Sequence, residues 1–338
     1  MKLAIVLSVI GAFVAVSSVY KMSTAQTTNQ VPEHVKQMFN SWKSQYERGY
    51  GVDAEEAYRL QVFNENYNTV NSLNARGGAS FELNKFGDMT KEEFKKTYLG
   101  AQQDDSLKTN VQSLNPLKLS DEVDWSSNGA VSPIKDQGQC GSCYAFSATG
   151  ALEGLAYVSS NWLWYFSEQQ IVDCAKSYGN AGCSGGLMSH VFQYTAAKGI
   201  NMESEYPYTS VDTASCNSSV ERQARKVNSS YTDVPTHNNN EMMAAITKQP
   251  ISVGVEADDW QFYKNGVFDN WDTCGEQLNH GVLAVGYGTD SSSGKMYYKI
   301  KNSWGASWGQ NGYIYLERKV TNDAGLCGVL INGSYPNA

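Results

Sequence analysis

The 338-residue chain predicts an α+β fold of two subdomains, one helical and one β-rich, preceded by a separate helical segment. Three observations carry this. All seven cysteines lie beyond residue 118. Within that cysteine-bearing part, helix-period runs come first and β-rich runs dominate beyond about residue 226, the order expected of segregated α and β units. The charge divides at the same place: residues 1–118 carry a net +1 and the remainder a net −9. An acidic unit argues against nucleic acid as a partner; it suits an acidic compartment as well as plain solubility.

At the N-terminus, a lone Lys2, an uncharged and mostly apolar run from Leu3 to Val19, and small polar residues through Ala25 read as a secretory signal over 1–25. Cleavage after Ser18 and after Ala25 both fit. The rival is a membrane anchor, but the run is marginal for a span of ~20 residues and no other segment qualifies, so no stable membrane span is expected. Secretion implies an oxidising environment in which paired cysteines are read first as disulfides, and an odd count leaves one thiol over. Of three Asn-x-Ser acceptors, Asn217 and Asn228 are expected at the surface as glycosylation candidates, whereas Asn332 ends an apolar stretch and is read as unmodified.

Residues 26–118 form the helical segment and a polar linker from Ala101 to Lys118. Glu55, Arg59, Phe63, Asn66, Val70 and Asn74 recur at steps of three and four and form one stripe of a long helix. Glu55 and Arg59 have the i, i+4 spacing of an ion pair, and Phe63 and Val70 supply apolar contacts. A segment from Phe81 to Thr90 follows, with Leu83 expected inward on a short strand, and then the helix-start signal Thr90-Lys-Glu-Glu.

In residues 119–338, helices are expected over 143–157, 167–174 and 187–198, and strands over 251–255, 282–287, 296–301 and 313–316. Such subdomains leave a cleft between them, a common ligand site. The first helix starts at Cys143, where the positive end of the helix dipole favours thiolate over thiol.

The motifs give that thiol partners. Cys140-Gly-Ser-Cys143-Tyr144 follows Gln137, which stands six residues before Cys143; His280 comes 137 residues after it and Asn302 another 22 on, in Asn302-Ser-Trp304-Gly. On the residues alone other readings stand: a Cys140/Cys143 redox dithiol, a zinc protein, although a second Cys-x-x-Cys or a paired histidine is lacking, or a ligase using the same acyl chemistry.

Taken together, the motifs and their order resemble the papain family of cysteine proteases, and the helical stripe with Asn84, Phe86 and Asp88 resembles that family's propeptide. The likeness is strongest to cathepsin L. It departs at Val70 for Ile, Glu82 for Gly and Tyr144 for Trp.

The resemblance implies a papain-like two-subdomain fold, with a helical left and a β-barrel-like right subdomain at 119–338, and an inhibitory propeptide at 26–118 removed near Leu117 to Leu119. It implies Cys143 as nucleophile, His280 as its base and then acid, Asn302 orienting the ring, and Gln137 as oxyanion donor. Trp304, counted also among the cleft residues, would shield the His280–Asn302 bond. Gly185 and Gly186 would pair with an extended peptide main chain. Leu187, Met188, Gly254, Leu278 and Gly281 would line the pocket for the second residue before the scissile bond (P2), with Asn332 at its far end. The disulfides implied are Cys140–Cys183, Cys174–Cys216 and Cys274–Cys327. No histidine pair lies between Cys183 and Cys216, which favours endopeptidase action over the dipeptide removal of cathepsin B. The expected partners are protein and peptide substrates, the chain's own propeptide and cystatin-like inhibitors; a monomer without cofactor or metal is expected, in the lysosome, an acidic vacuole or the extracellular space.

Overall fold

A computed structural model describes residues 31–102, 108, 110–114, 118–213, 215–319 and 323–338. The expected signal and its cleavage positions lie outside these residues, as does part of the expected processing site at Leu117–Leu119. Among the described residues no helix is long and apolar enough to cross a membrane.

The prosegment is built from α1 (Glu33–Gln45), α2 (Asp53–Ala75), the short strand β1 (Ser80–Phe81) and α3 (Lys91–Tyr98). Val35, Phe39 and Trp42 of α1 pack on Phe63 of α2 as a small separate core. The polar residues of the α2 stripe hold the following segment by its main chain. Asn66 Nδ2 donates to the carbonyls of Gly87 and Met89, each at 2.9 Å, and Asn74 exchanges two hydrogen bonds with Phe81. Arg59 departs from the expectation: its partner is Glu93 at 2.7 Å, not Glu55, and it also donates to Asp88 O. A tertiary carboxylate flanked by a carbonyl offers two hydrogen bonds where the i, i+4 neighbour offers one. Helix α3 opens on a capping box between Thr90 and Glu93. The strand stops at Phe81, so Leu83 lies outside it, half-buried.

The catalytic unit begins with β2 (Val123–Asp124), then α4 (Cys143–Ser160), α5 (Glu168–Cys174), α6 (Met188–Lys198) and the single turn α7 (Ser218–Glu221). After these come β3 (Ser230–Asp233), α8 (Asn239–Lys248), β4 (Ile251–Val255), β5 (Tyr263–Asn265), β6 (Val267–Phe268), β7 (His280–Thr289), β8 (Met296–Lys301), β9 (Tyr313–Glu317) and β10 (Asn332–Asn337). The large sheet runs β3-β10-β4-β7-β8-β9-β6, with β2 added on β7. One core fills the sheet subdomain and a second lies among α4, α5 and α6. Disulfides join Cys140 to Cys183, Cys174 to Cys216 and Cys274 to Cys327.

Between the subdomains lies a buried charge cluster. Lys135 bonds Glu168 at 2.7 Å and approaches Glu153; Ser132 links Glu153 to Lys301, which sits at the end of β8. Burial, with Glu153 beside it, pushes the Glu168 carboxyl up to about 7 against the pull of Lys135, and burial pushes Lys301 down to about 8.

The prosegment docks on the catalytic unit by strand, amide and charge. β1 pairs antiparallel with β5, and Asn84 Nδ2 donates to Gln261 O at 2.7 Å. Lys85 binds Asp136, Lys91 binds Asp259 and Lys95 binds Asp258. Glu82, which stands where a glycine was expected, faces outward onto Lys264 at 2.7 Å.

Of the glycosylation candidates, Asn217 is exposed, with Ser219 Oγ donating to its Oδ1 at 2.7 Å. Asn228 corrects the surface reading. It is buried, its Nδ2 donates to the carbonyls of Phe192 and Ser230, and its Oδ1 accepts from Thr195. A side chain that satisfies three internal groups at the β3 junction is part of the core hydrogen bonding.

Candidate active site

Cys143 is the first residue of α4 and the one free cysteine among the described residues. Its Sγ accepts from Gly281 N at 3.4 Å. Burial pushes the thiol above its ordinary value, against the backbone N–H groups of Gly281, Gly100, Tyr144 and Ala101 directed at it. In the closed form burial thus works against the thiolate that the helix terminus favours.

His280 opens β7 and Asn302 follows β8. Leu283 pairs with Lys301 across these strands, so the register brings the histidine and the asparagine together at one end of the sheet. His280 Nε2 lies 2.8 Å from Asn302 Oδ1, which also accepts from Ser303 N at 2.8 Å. An acceptor on that oxygen assigns the ring proton to Nε2. His280 Nδ1 makes no hydrogen bond, which leaves it as the nitrogen available to the thiol. Trp304 stacks on the imidazole with centroids 4.7 Å apart. Burial pushes His280 down to about 4, only partly offset by the Asn302 bond.

Gln137 is fully buried. Its Oε1 accepts from Ser303 Oγ at 2.8 Å, and its two amide hydrogens go to Cys140 O at 2.9 Å and Tyr98 O at 3.1 Å. Tyr98 belongs to the prosegment, so one of the two hydrogens is freed when the prosegment leaves. Phe86, Phe94 and Tyr98 surround the outer face of Trp304 at centroid distances of 5.1–6.4 Å.

A thiol at a helix start, an imidazole held by an amide and a second amide aimed at the same cleft make an acyl-transfer site covered by the chain's own N-terminal segment. Comparison with known proteins agrees. Residues 119–337 match the papain family cysteine protease domain, and residues 39–94 match the cathepsin propeptide inhibitor domain. The chain belongs to the papain family of cysteine proteases. Probable cysteine protease RDL2 of Arabidopsis thaliana is 38% identical over 338 residues, covering 97% of this chain and 92% of the relative. Among solved structures, digestive procathepsin L 3 from Tenebrio molitor larval midgut superposes with a TM-score of 0.81 at 38% identity, covering 91% of this chain and 100% of that one. The recombinant stem bromelain precursor gives 0.82 at 35% identity, covering 90% and 99%. The prosegment is thus the inhibitor domain of a zymogen, and disulfide-bonded proenzymes of this family are typically secretory-pathway proteins. The Cys140–Cys183 bond removes the redox-dithiol reading.

In this papain-family enzyme the prosegment bonds to the loop at Gly186 and to Asn279 beside His280. Gly186 N donates to Gly100 O at 2.9 Å, Gln102 N to Gly186 O at 3.1 Å, and Ala101 N to Asn279 O at 3.0 Å, with Ala101 and Gly186 parallel. Gly186 makes these bonds and Gly185 makes none of them. Gly185 is needed for space: its φ is +107° and a Cβ there would come within 2.2 Å of Gly100 O. Tyr144 braces this loop, its hydroxyl donating to Gly182 O at 3.0 Å, so the phenol has a specific partner where an indole was expected.

The residues expected to line the P2 pocket lie close to one another. Asn332 pairs with Gly254 and Gly254 with Gly281, a row across β10, β4 and β7 in which a Cβ on Gly281 would come within 3.1 Å of Met188 Sδ and of the Tyr144 main chain. Leu278 and Met188 close its sides, and Leu187 is buried beside them at the start of α6. The linker residue Lys108 donates to Asn332 Oδ1 at 3.0 Å. Sequence reasoning missed Ser303, Tyr98 and Gly100; each acts through a contact between distant segments, for which no local pattern exists.

Proposed function

We propose that the chain is the zymogen of a cysteine endopeptidase acting in the secretory pathway, in a lysosome or acidic vacuole or outside the cell. Cys143 attacks the scissile carbonyl, its proton passing to His280 Nδ1. The tetrahedral oxyanion is held by the Cys143 N–H and the Gln137 amide, a contact of a kind worth roughly 2.7–4 kcal/mol. His280 then protonates the leaving amine, and water hydrolyses the thioester. The observation that carries the reading is the 2.8 Å His280–Asn302 bond beside the free thiol, closed over by prosegment carbonyl and amide groups.

The P2 preference is proposed as hydrophobic or aromatic over Arg. The acceptor at the far end of the pocket, Asn332 Oδ1, is neutral rather than a carboxylate. A peptide series cleaved faster with Arg than with Leu or Phe at P2 overturns this.

The central test is to hold the full-length chain at about pH 4–5, where carboxyl groups begin to protonate, and then label it with an epoxide inhibitor. Modification mapped to Cys143 is expected, with none in Cys143→Ala. If Cys143→Ala matures alone as fast as the parent, self-processing is wrong. Label on another residue refutes the nucleophile.

A further inference from the structure

The Gln137 side chain is oriented by Ser303 and Cys140 and its N–H donates to Ser303 O at 2.9 Å, but its carbonyl is held from elsewhere. The Tyr208 hydroxyl donates to Gln137 O at 2.7 Å and shares a 2.6 Å hydrogen bond with Ser142 Oγ, the residue immediately before the nucleophile. A phenol has one proton, and the Gln137 carbonyl can only accept it. The order is therefore fixed: Ser142 donates to Tyr208, and Tyr208 donates to Gln137. Bonds in such a chain polarise and strengthen one another. The Tyr208 ring meets Phe146 of α4 edge-on at 4.9 Å, while its backbone N–H is held by Glu203 at 2.9 Å. Ser142 N also donates to Cys140 O at 2.7 Å, the carbonyl that receives the Gln137 amide. One phenol thus ties together the two strands of loop that carry the two oxyanion donors.

We infer that Tyr208 is a positioning residue for oxyanion stabilisation: it fixes the spacing between Gln137 and the backbone N–H of Cys143 so that both address one oxygen. The inference rests on the proposed role of Gln137. Catalysis of this kind is sensitive to placement, a shift of about 1 Å costing up to about a hundredfold in rate.

The test uses enzyme matured from the full chain, with kcat expressed per epoxide-titrated site so that only competent molecules count. Tyr208→Phe keeps the ring and removes both hydrogen bonds. Its kcat on a peptide amide is expected to fall about tenfold with KM changed less than about twofold. Alkylation of Cys143 by iodoacetamide, which develops no oxyanion at the attacked carbon, should stay within about twofold of the parent. Ser142→Ala, which leaves the Tyr208–Gln137 bond, should lose less. In a Gln137→Ala background, the Tyr208→Phe loss should shrink to less than about twofold, because its target is gone. An unchanged kcat in Tyr208→Phe overturns the inference. So does alkylation that slows in step with kcat, or a loss that persists in full on Gln137→Ala. If Gln137→Ala itself keeps the parental kcat, the reading of Gln137 fails, and this inference fails with it.

Discussion

His280 is the residue whose burial says most about control. Its pKa is pushed from 6.5 down to about 4 by burial, with Trp304 and Trp260 against the ring and the prosegment bonded to the carbonyl of the preceding Asn279. A base with a depressed pKa stabilises the closed form at pH above its free value, and that stabilisation is lost as pH falls from about 6.5 through about 4, since the opened state takes the proton first. Glu93 acts in the same direction lower down: burial opposes its ionisation, but Arg59 and the Thr90 backbone outweigh it and hold the carboxyl below 4.5. Glu93 is therefore an acid-sensitive group of the prosegment. In a Cys143→Ala chain, the protection of α3 amides against hydrogen exchange, taken relative to the intrinsic rate at each pH, should fall between about pH 6.5 and 4, and adding His280→Gln should flatten that fall. An unchanged pH profile with His280→Gln refutes the linkage. For catalysis at the same scale, Gln137→Ala in the matured enzyme should lower kcat by about 10²–10³.

At the level of elements, the inhibitory strand depends on close backbone approach. A Cβ on Gly100 would lie 2.0 Å from Gly141 O, while Gly185 leaves room on the opposite side. Overpacking of about 1–3 kcal/mol is the expected consequence of Gly100→Ala, or roughly a tenfold to hundredfold weaker closure. The unprocessed Gly100→Ala chain should hydrolyse a chromogenic peptide at neutral pH, where the parent is silent; equal silence would show that the strand has room to shift. The α2 stripe and the Thr90 box were readable in the sequence because helical period and capping are local rules. The partner of Arg59 was not, since a spacing rule names neighbours and Glu93 comes from another helix. Strand β7 begins at His280 rather than Val282 because pairing with Val255 continues past the apolar run. Asn228 was misread because a polar side chain in a junction can satisfy main-chain groups as readily as it meets water.

Across the whole molecule, the subdomains meet on charges as well as on apolar surface. Lys135, Glu153, Glu168 and Lys301 link the loop before Gln137, helices α4 and α5, and the strand β8 that Asn302 follows. Removing one member leaves another uncompensated, so Glu153→Ala should cost about 3–5 kcal/mol and lower Tm visibly in calorimetry. No change in Tm would mean that the remaining groups rearrange. The order of Cys143, His280 and Asn302 along the chain was enough to suggest their chemistry, because the residue types are restrictive. The prosegment's share of the closed site was not legible, for it depends on how two independently patterned units dock. That docking places an indole, Trp304, with no solvent exposure, under three aromatic rings that leave on maturation. Its excited state then meets water, so activation carries an intrinsic optical signal: emission shifts to the red as the clasp opens, and Trp304→Phe loses that part of the shift.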